Sequence, residues 1–191
     1  MSVQIIKGGR FNLAQEVPNL KRLAIALGWQ VNLAGKNCEI DASAFMLGAD
    51  GRIPHEDYLV FYNNPQSLDG SVKQSSTDNY SSKRGYINTL YGVDLTKIDA
   101  AIEEIVWIVT IHEAQSVGLN FSQIQNAFIS LYDRETKIQL ARYELKENFT
   151  VETALEFGRL YKKSGEWRFQ AVGQGYKSGL RSFVEKYYIE K

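Results

Sequence analysis

The residues whose types and spacing point most directly to chemistry are oxygen donors. Asp41, Asn63, Asn64, Asp69, Asp78 and Asn79 supply carboxylate and amide oxygens from one strand pattern and the long polar stretch after it. A calcium ion takes roughly six to eight such oxygens and tolerates irregular geometry, so a convergent set of this kind suits Ca²⁺. Gly51 and Gly70 each follow an aspartate, which frees the backbone to turn its carbonyls inward. The spacing is not that of an EF-hand, which runs D-x-[DN]-x-[DN]-G to a later glutamate. Asn and Asp are also ordinary turn residues, so on residue types alone the plain-loop reading outweighs the metal reading.

Catalytic chemistry finds less support. HEAQS at 112–116 approaches the zinc-protease motif HExxH, but Ser116 stands where the second imidazole is needed. The segment also ends a strand pattern, whereas the motif needs a helix to bring both histidines to one face. GQGYKSG at 173–179 looks like a dinucleotide fingerprint with one residue too many, and no βαβ unit surrounds it. It reads as a tight strand-to-helix turn. Cys38, the only cysteine, falls inside a strand pattern and reads as a small buried hydrophobe. No GxSxG elbow is present, and two histidines leave little scope for a His-based general base.

The elements that must position the oxygen donors are strands. Leu23, Ile25, Leu27, Trp29, Val31 and Leu33 share one side of a two-residue period over 23–33. Further strands are predicted over 38–47 and 58–63. Residues 104–112 form the strongest pattern, apolar on both faces, which predicts a central strand covered on both sides. Four more follow at 127–132, 138–145, 153–162 and 166–173, the last two joined through Lys163-Ser164-Gly165 as a hairpin. Residues 63–88 read as loop throughout, and loops of that length are usually functional or disordered. One or two helical turns are predicted over 122–127. Leu180, Phe183, Val184, Tyr187 and Tyr188 recur at helical spacing and predict an amphipathic C-terminal helix over about 178–190 that packs back on the strands. Short strands at regular spacing give an all-β class, a sandwich or barrel, in one domain spanning 1–191.

Composition narrows the partners. With 22 basic and 22 acidic residues, the chain lacks the cationic face that nucleic acid or an anionic membrane surface selects. No apolar run is long enough to span a bilayer, so the chain is not expected to be membrane-inserted. A lone cysteine forms no intrachain disulfide, which fits a cytoplasmic home.

Three blocks resemble the TerD-domain family. EIDASAFMLGADGRIPHEDYLVFYNN at 39–64 is similar to the signature running through LDASAFLLG and FVFYNN. VTIHEAQSVGLNFSQIQNAFISL at 109–131 is similar to VTIHDA…FGQVRNAFIRV, and ETALEFGRLYKKSGEWRFQAVGQGYKSGL at 152–180 to ETAMIFGELYRHNGEWKFRAVGQGY. The blocks stand in the family's order and cover most of the chain. The resemblance implies a two-sheet antiparallel β-sandwich, Ca²⁺ held by acidic loops at one end, and roles in tellurite resistance and stress response without enzymatic activity. It also implies partnership with other Ter-family proteins, including a membrane-associated complex.

The sequence departs from the family where the metal chemistry lies. The family continues DNLTGEGDGDDE; here Asp78-Asn79 is followed by YSSKRGYINT and the acidic run is gone. Between residues 71 and 91, Lys73, Lys83 and Arg84 stand against Asp78, three basic minus one acidic, or +2. Cations near a dication and missing carboxylates both lower its affinity. Gln30 stands where many members have Asp, and Glu39 and Glu113 replace Asp. One usual site is therefore expected to be lost, leaving weak Ca²⁺ binding in the 41–79 region and a role as sensor or scaffold. The alternatives are binding of a nucleotide or other anionic small molecule through Tyr80, Lys83, Arg84 and Tyr86, or a metal-free interaction module using the C-terminal helix.

Overall fold

The computed structural model describes residues 2–31, 39–75 and 86–188. Two six-stranded sheets pack face to face. The first runs β1 (Val3–Ile5), β10 (Gln139–Glu144), β9 (Ile124–Asp133), β3 (Arg22–Val31), β7 (Thr89–Asp94) and β6 (Val72–Ser75). The second runs β2 (Arg10–Asn12), β12 (Glu166–Tyr176), β11 (Ala154–Lys163), β8 (Ile102–Ile111), β4 (Ile40–Gly48) and β5 (Leu59–Val60). All pairings are antiparallel except the short β1–β10 edge, which is parallel. Three short helices complete the chain: α1 (Leu13–Glu16), α2 (Ala114–Val117) and α3 (Leu180–Tyr187). None of the described helices is long and apolar enough to cross a membrane.

The two-residue period explains how the core forms. Directly opposed residues of an antiparallel pair point to the same side. Ala42, Ala44 and Met46 on β4 oppose Val109, Trp107 and Ile105 on β8, and all six are buried. Tyr91 of β7 reaches this layer from the other sheet, its ring 6.5 Å from that of Trp107. The alternate set, Asp41, Ser43, Phe45, Thr110, Ile108 and Val106, faces the opposite way. Helix α3 covers that second face, with Tyr187 5.2 Å from Phe45 and Phe183 4.8 Å from Tyr176 between ring centroids. Strand β8 is thus covered on both sides, as its doubly apolar pattern predicts. Each fully buried aromatic or branched side chain contributes on the order of 1.5–3 kcal/mol.

Charge is also buried under α3. Arg159 on β11 donates to Glu104 at 2.7 Å and to Glu156, and the Tyr176 hydroxyl donates to Glu156 at 3.3 Å. Glu156 is only 1% exposed, so Arg159 is its essential counter-ion.

Several boundaries differ from the sequence reading. Strand β5 ends at Val60 because residues 61–64 close a tight turn, with Phe61 N–H donating to the Asn64 carbonyl at 3.0 Å and the reverse bond at 3.1 Å. The polar stretch 63–88 is not all loop: β6 lies within it, and β7 begins at Thr89. The helix expected over 122–127 is a single 3₁₀ turn at Phe121–Gln123, capped by Asn120, and Ile124 already belongs to β9. Strands β1, β2 and β7 and helices α1 and α2 have no counterpart in the sequence reading. The β11–β12 hairpin turns through Ser164 and Gly165, both left-handed at φ 55° and 78°. Cys38, Leu33, Asp78, Asn79, Tyr80, Lys83 and Arg84 lie outside the described residues.

Candidate binding pole of the sandwich

Antiparallel topology collects particular strand ends at one pole. There β8 ends at Ile111, β4 begins at Ile40, β11 begins at Ala154, β3 ends at Val31 and β9 begins at Ile124. The end of β6 at Ser75 and the start of β7 at Thr89 also lie at this pole. The sheets are tied together here. The buried Tyr91 hydroxyl donates to the Ala42 carbonyl at 2.7 Å, and Gln74 Nε2 donates to that hydroxyl at 3.4 Å. The Trp29 N–H donates to Asn88 Oδ1 at 2.7 Å, and Asn126 Nδ2 donates to Gln30 Oε1 at 2.6 Å. Asn126 holds a left-handed backbone, φ 51°.

Asp41 sits at this pole, opposite Thr110. Its side chain is partly buried, and among the described residues no hydrogen-bond donor reaches its carboxylate. Burial pushes its carboxyl up from the ordinary value, His112 opposes the rise and Glu39 adds to it. A half-buried carboxylate without donors is electrostatically unsatisfied, and a cation would relieve it. Asn63 is exposed at the tip of the 61–64 turn. Because Leu59 opposes Phe45 and Val60 opposes Ala44, the chain leaving β5 runs toward the Asp41 end of β4. Asn63 therefore lies toward the Asp41 end of β4.

Asn64 and Asp69 have other work. Asn64 Nδ2 donates to the carbonyls of Leu59 at 2.9 Å and Asp57 at 3.3 Å, locking the turn. Asp69 Oδ1 accepts from the Ser67 hydroxyl at 2.7 Å, the Ser71 hydroxyl at 2.7 Å and the Ser71 N–H at 2.9 Å. Its Oδ2 accepts from the Asp99 N–H at 2.9 Å. Burial alone would raise the Asp69 carboxyl, but these four donors outweigh it and lower it. Nearby, burial and the charges of Asp69 and Asp99 push the Tyr58 hydroxyl up to about 12.

Asp69 also lies at the opposite pole. Its partner Asp99 leads into the start of β8, the Ile102 N–H donating to the Asp99 carbonyl at 3.0 Å. From Ile102 to Thr110 the strand advances about 26 Å, at roughly 3.3 Å per residue. The sequence-derived donor set is thus divided: Asp41 and Asn63 toward one end, Asp69 pinned at the far end, Asn64 spent on backbone carbonyls. The full set does not fit a single Ca²⁺ site. Among the described residues no three His, Cys, Asp or Glu side chains converge on a metal position.

Comparison with known proteins places this architecture. The family model described as TerD domain matches residues 1–187. The chain belongs to the TerD domain family. It is 38% identical over 190 residues to the tellurium resistance protein TerD of Serratia marcescens, covering 99% of this chain and 98% of that protein. It is 34% identical over 192 residues to general stress protein 16U of Bacillus subtilis (strain 168), covering 100% and 99%. A solved structure of a TerD homologue from Streptomyces coelicolor A3(2) superposes with a TM-score of 0.64 at 20% identity, covering 87% of this chain and 96% of that one, which shows a shared fold. These relatives are named as resistance and stress proteins, so tellurium resistance and stress response are the family's setting.

Within this TerD domain the substituted positions Gln30, Glu39 and Glu113 border the Asp41 pole. Gln30 accepts from Asn126, Glu39 contributes to the Asp41 shift, and Glu113 takes a left-handed backbone at φ 46° just past β8. Sequence reasoning missed Tyr91, Asn88 and Asn126, which hold the pole together. Tyr91 carries no local signal because its partner Ala42 lies on another sheet, 49 residues away.

Proposed function

We propose that this TerD-domain chain is a non-enzymatic, cytoplasmic protein of stress response and tellurite resistance that binds Ca²⁺ weakly at the Asp41 pole. Acting as sensor or scaffold, it would present that pole to other Ter-family proteins when the cation orders it. The observation that carries this reading is the Asp41 carboxylate, partly buried with no hydrogen-bond donor among the described residues, at the pole where β6 ends and β7 begins. Asp41 and Asn63, with Asp78 and Asn79, are the ligands of this reading; Asp69 and Asn64 are structural. A site with so few carboxylates is weak, since Ca²⁺ affinity follows ligand charge. Isothermal calorimetry with millimolar CaCl₂ tests it. Heat that is lost in Asp41→Asn and kept in Asp69→Asn supports the reading; no heat in the unsubstituted protein, or heat unchanged in Asp41→Asn, removes it.

A second reading rests on a cavity of about 610 Å³ at the same pole, lined by Trp29, Gln30, Val31, Tyr86, Asn88 and Gln125. Aromatic rings beside amides suit a base or other planar group, and Lys83 and Arg84 supply charge for an anion. A thermal-shift screen with ATP, ADP and inorganic phosphate separates the two. A response to nucleotide that disappears in Lys83→Ala/Arg84→Ala favours this reading over the cation.

A further inference from the structure

The two motifs that fail as catalytic signatures, HEAQS and GQGYKSG, face each other across a cleft. It has a volume of about 360 Å³ and is lined by residues 111, 113–116, 153, 177 and 179. Its floor is built: Ile111 is 3% exposed, Ala114 7% and Thr153 9%. The Ile111 N–H donates to the Thr153 carbonyl at 3.0 Å and the Thr153 N–H to the Tyr176 carbonyl at 2.8 Å, so the backbone of the floor is fixed by the sheet. The Thr153 side-chain hydroxyl has no partner among the described residues.

The walls carry opposite charges. Glu113 follows the end of β8 and Lys177 follows the end of β12, with β11 between them. Two strand spacings put these backbones about 10 Å apart. Glu113 is held in place by its left-handed backbone and by Ser116, whose N–H and hydroxyl donate to its carbonyl at 2.9 and 2.8 Å. Its carboxylate is 69% exposed and only 4.0 Å from the His112 imidazole. Lys177 makes no ion pair within 4 Å among the described residues; the carboxylate behind it, Glu152, accepts instead from the Thr150 and Val151 amides at 3.0 and 3.1 Å.

We propose that this cleft binds a small zwitterion of dipeptide size, its carboxylate toward Lys177 and its ammonium toward Glu113. An extended dipeptide spans about 7 Å, shorter than the two-strand width of the floor. Thr153 and Gln115 meet its peptide group, and Ile111 and Ala114 accept a small aliphatic side chain. A lone anion would meet Glu113 and a lone cation would meet Lys177, so each is disfavoured by one wall. None of these residues belongs to the proposed Ca²⁺ ligands, and either reading can fail without the other.

Amide-resolved NMR titration of the full chain with glycylglycine tests the proposal. Saturable shifts at Ile111, Ala114 and Thr153 are expected, with Kd raised about tenfold or more in Lys177→Gln and in Glu113→Gln. Both substituted side chains are on the rim, and retained spectral dispersion confirms folding; Thr153→Val gives a second variant, expected to weaken binding by a smaller factor. Acetate and ethylamine alone should bind about tenfold more weakly than glycylglycine. Shifts that do not saturate, an unchanged Kd in both charge variants, or acetate binding as tightly as glycylglycine would each overturn it.

Discussion

Tyr91 on β7 donates its hydroxyl proton to the carbonyl of Ala42 on β4 at 2.7 Å, linking the two sheets one residue from Asp41. The hydroxyl is fully buried, and burial keeps it protonated far above any physiological pH. Tyr91→Phe leaves the Ala42 carbonyl without its donor, which costs about 1–3 kcal/mol. Urea denaturation at pH 7 should show this as a lower midpoint with an unchanged slope.

Asp41 should oppose folding at neutral pH when no cation is present. Its folded-state carboxyl is raised above the ordinary 3.8, chiefly by burial. The folded state therefore binds a proton more readily than the unfolded state, and stability falls as pH rises through the raised value. Asp41→Asn is expected to melt higher than the parent protein at pH 7 in EDTA. The gap should close below pH 3.8, where both states are protonated. Thermal melts across pH 3–8 measure it.

Asp69 should behave with the opposite sign. Its carboxyl is lowered because four donors outweigh burial. Its contribution is present above the ordinary value of 3.8 and is lost as pH falls through the lowered one. Asp69→Ala strands the hydroxyls and amides of the 67–72 hairpin and costs about 2 kcal/mol at pH 7. The deficit relative to the parent should shrink in acid, again read by thermal melts.

Arg159 is expected to be among the most sensitive charged positions. Arg159→Met leaves Glu156 buried without its counter-ion, at a cost of about 3–5 kcal/mol. The double variant Arg159→Met/Glu156→Leu should recover part of the loss, and a double-mutant cycle by chemical denaturation gives the coupling.

Gly28 on β3 has no room for a side chain. A Cβ there would overlap the Tyr86 carbonyl oxygen and the Phe128 ring. The oxygen is backbone, so Gly28→Ala forces a shift at the binding pole and costs about 1–3 kcal/mol of stability. The same denaturation assay reads it.

The strand layout was largely legible from alternation and burial demand. Residues 104–112 have two apolar faces because β8 is covered by a sheet on one side and by α3 on the other, and the stripe through Phe183 and Tyr187 predicts that cover. What alternation could not show were strands too short or too polar to carry a period. Strand β6 has one apolar residue, Val72, in four, and β1 and β2 have three residues each. The candidate site was legible only in part. Composition brings Asp41 and Asp69 into one oxygen-rich group, but the antiparallel register sends them to opposite ends of β8. Asp69-Gly70 is a turn signal whose carboxylate serves its own hairpin, a local use that competes with metal ligation at every loop aspartate.

The most direct measurement is a crystal of the protein soaked in CaCl₂. The expected result is a Ca²⁺ density peak about 2.3–2.6 Å from an Asp41 carboxylate oxygen, with the four hydrogen bonds of Asp69 intact. A Ca²⁺ peak on Asp69, or a fully soaked crystal with no peak at Asp41, would contradict the assignment of the binding pole.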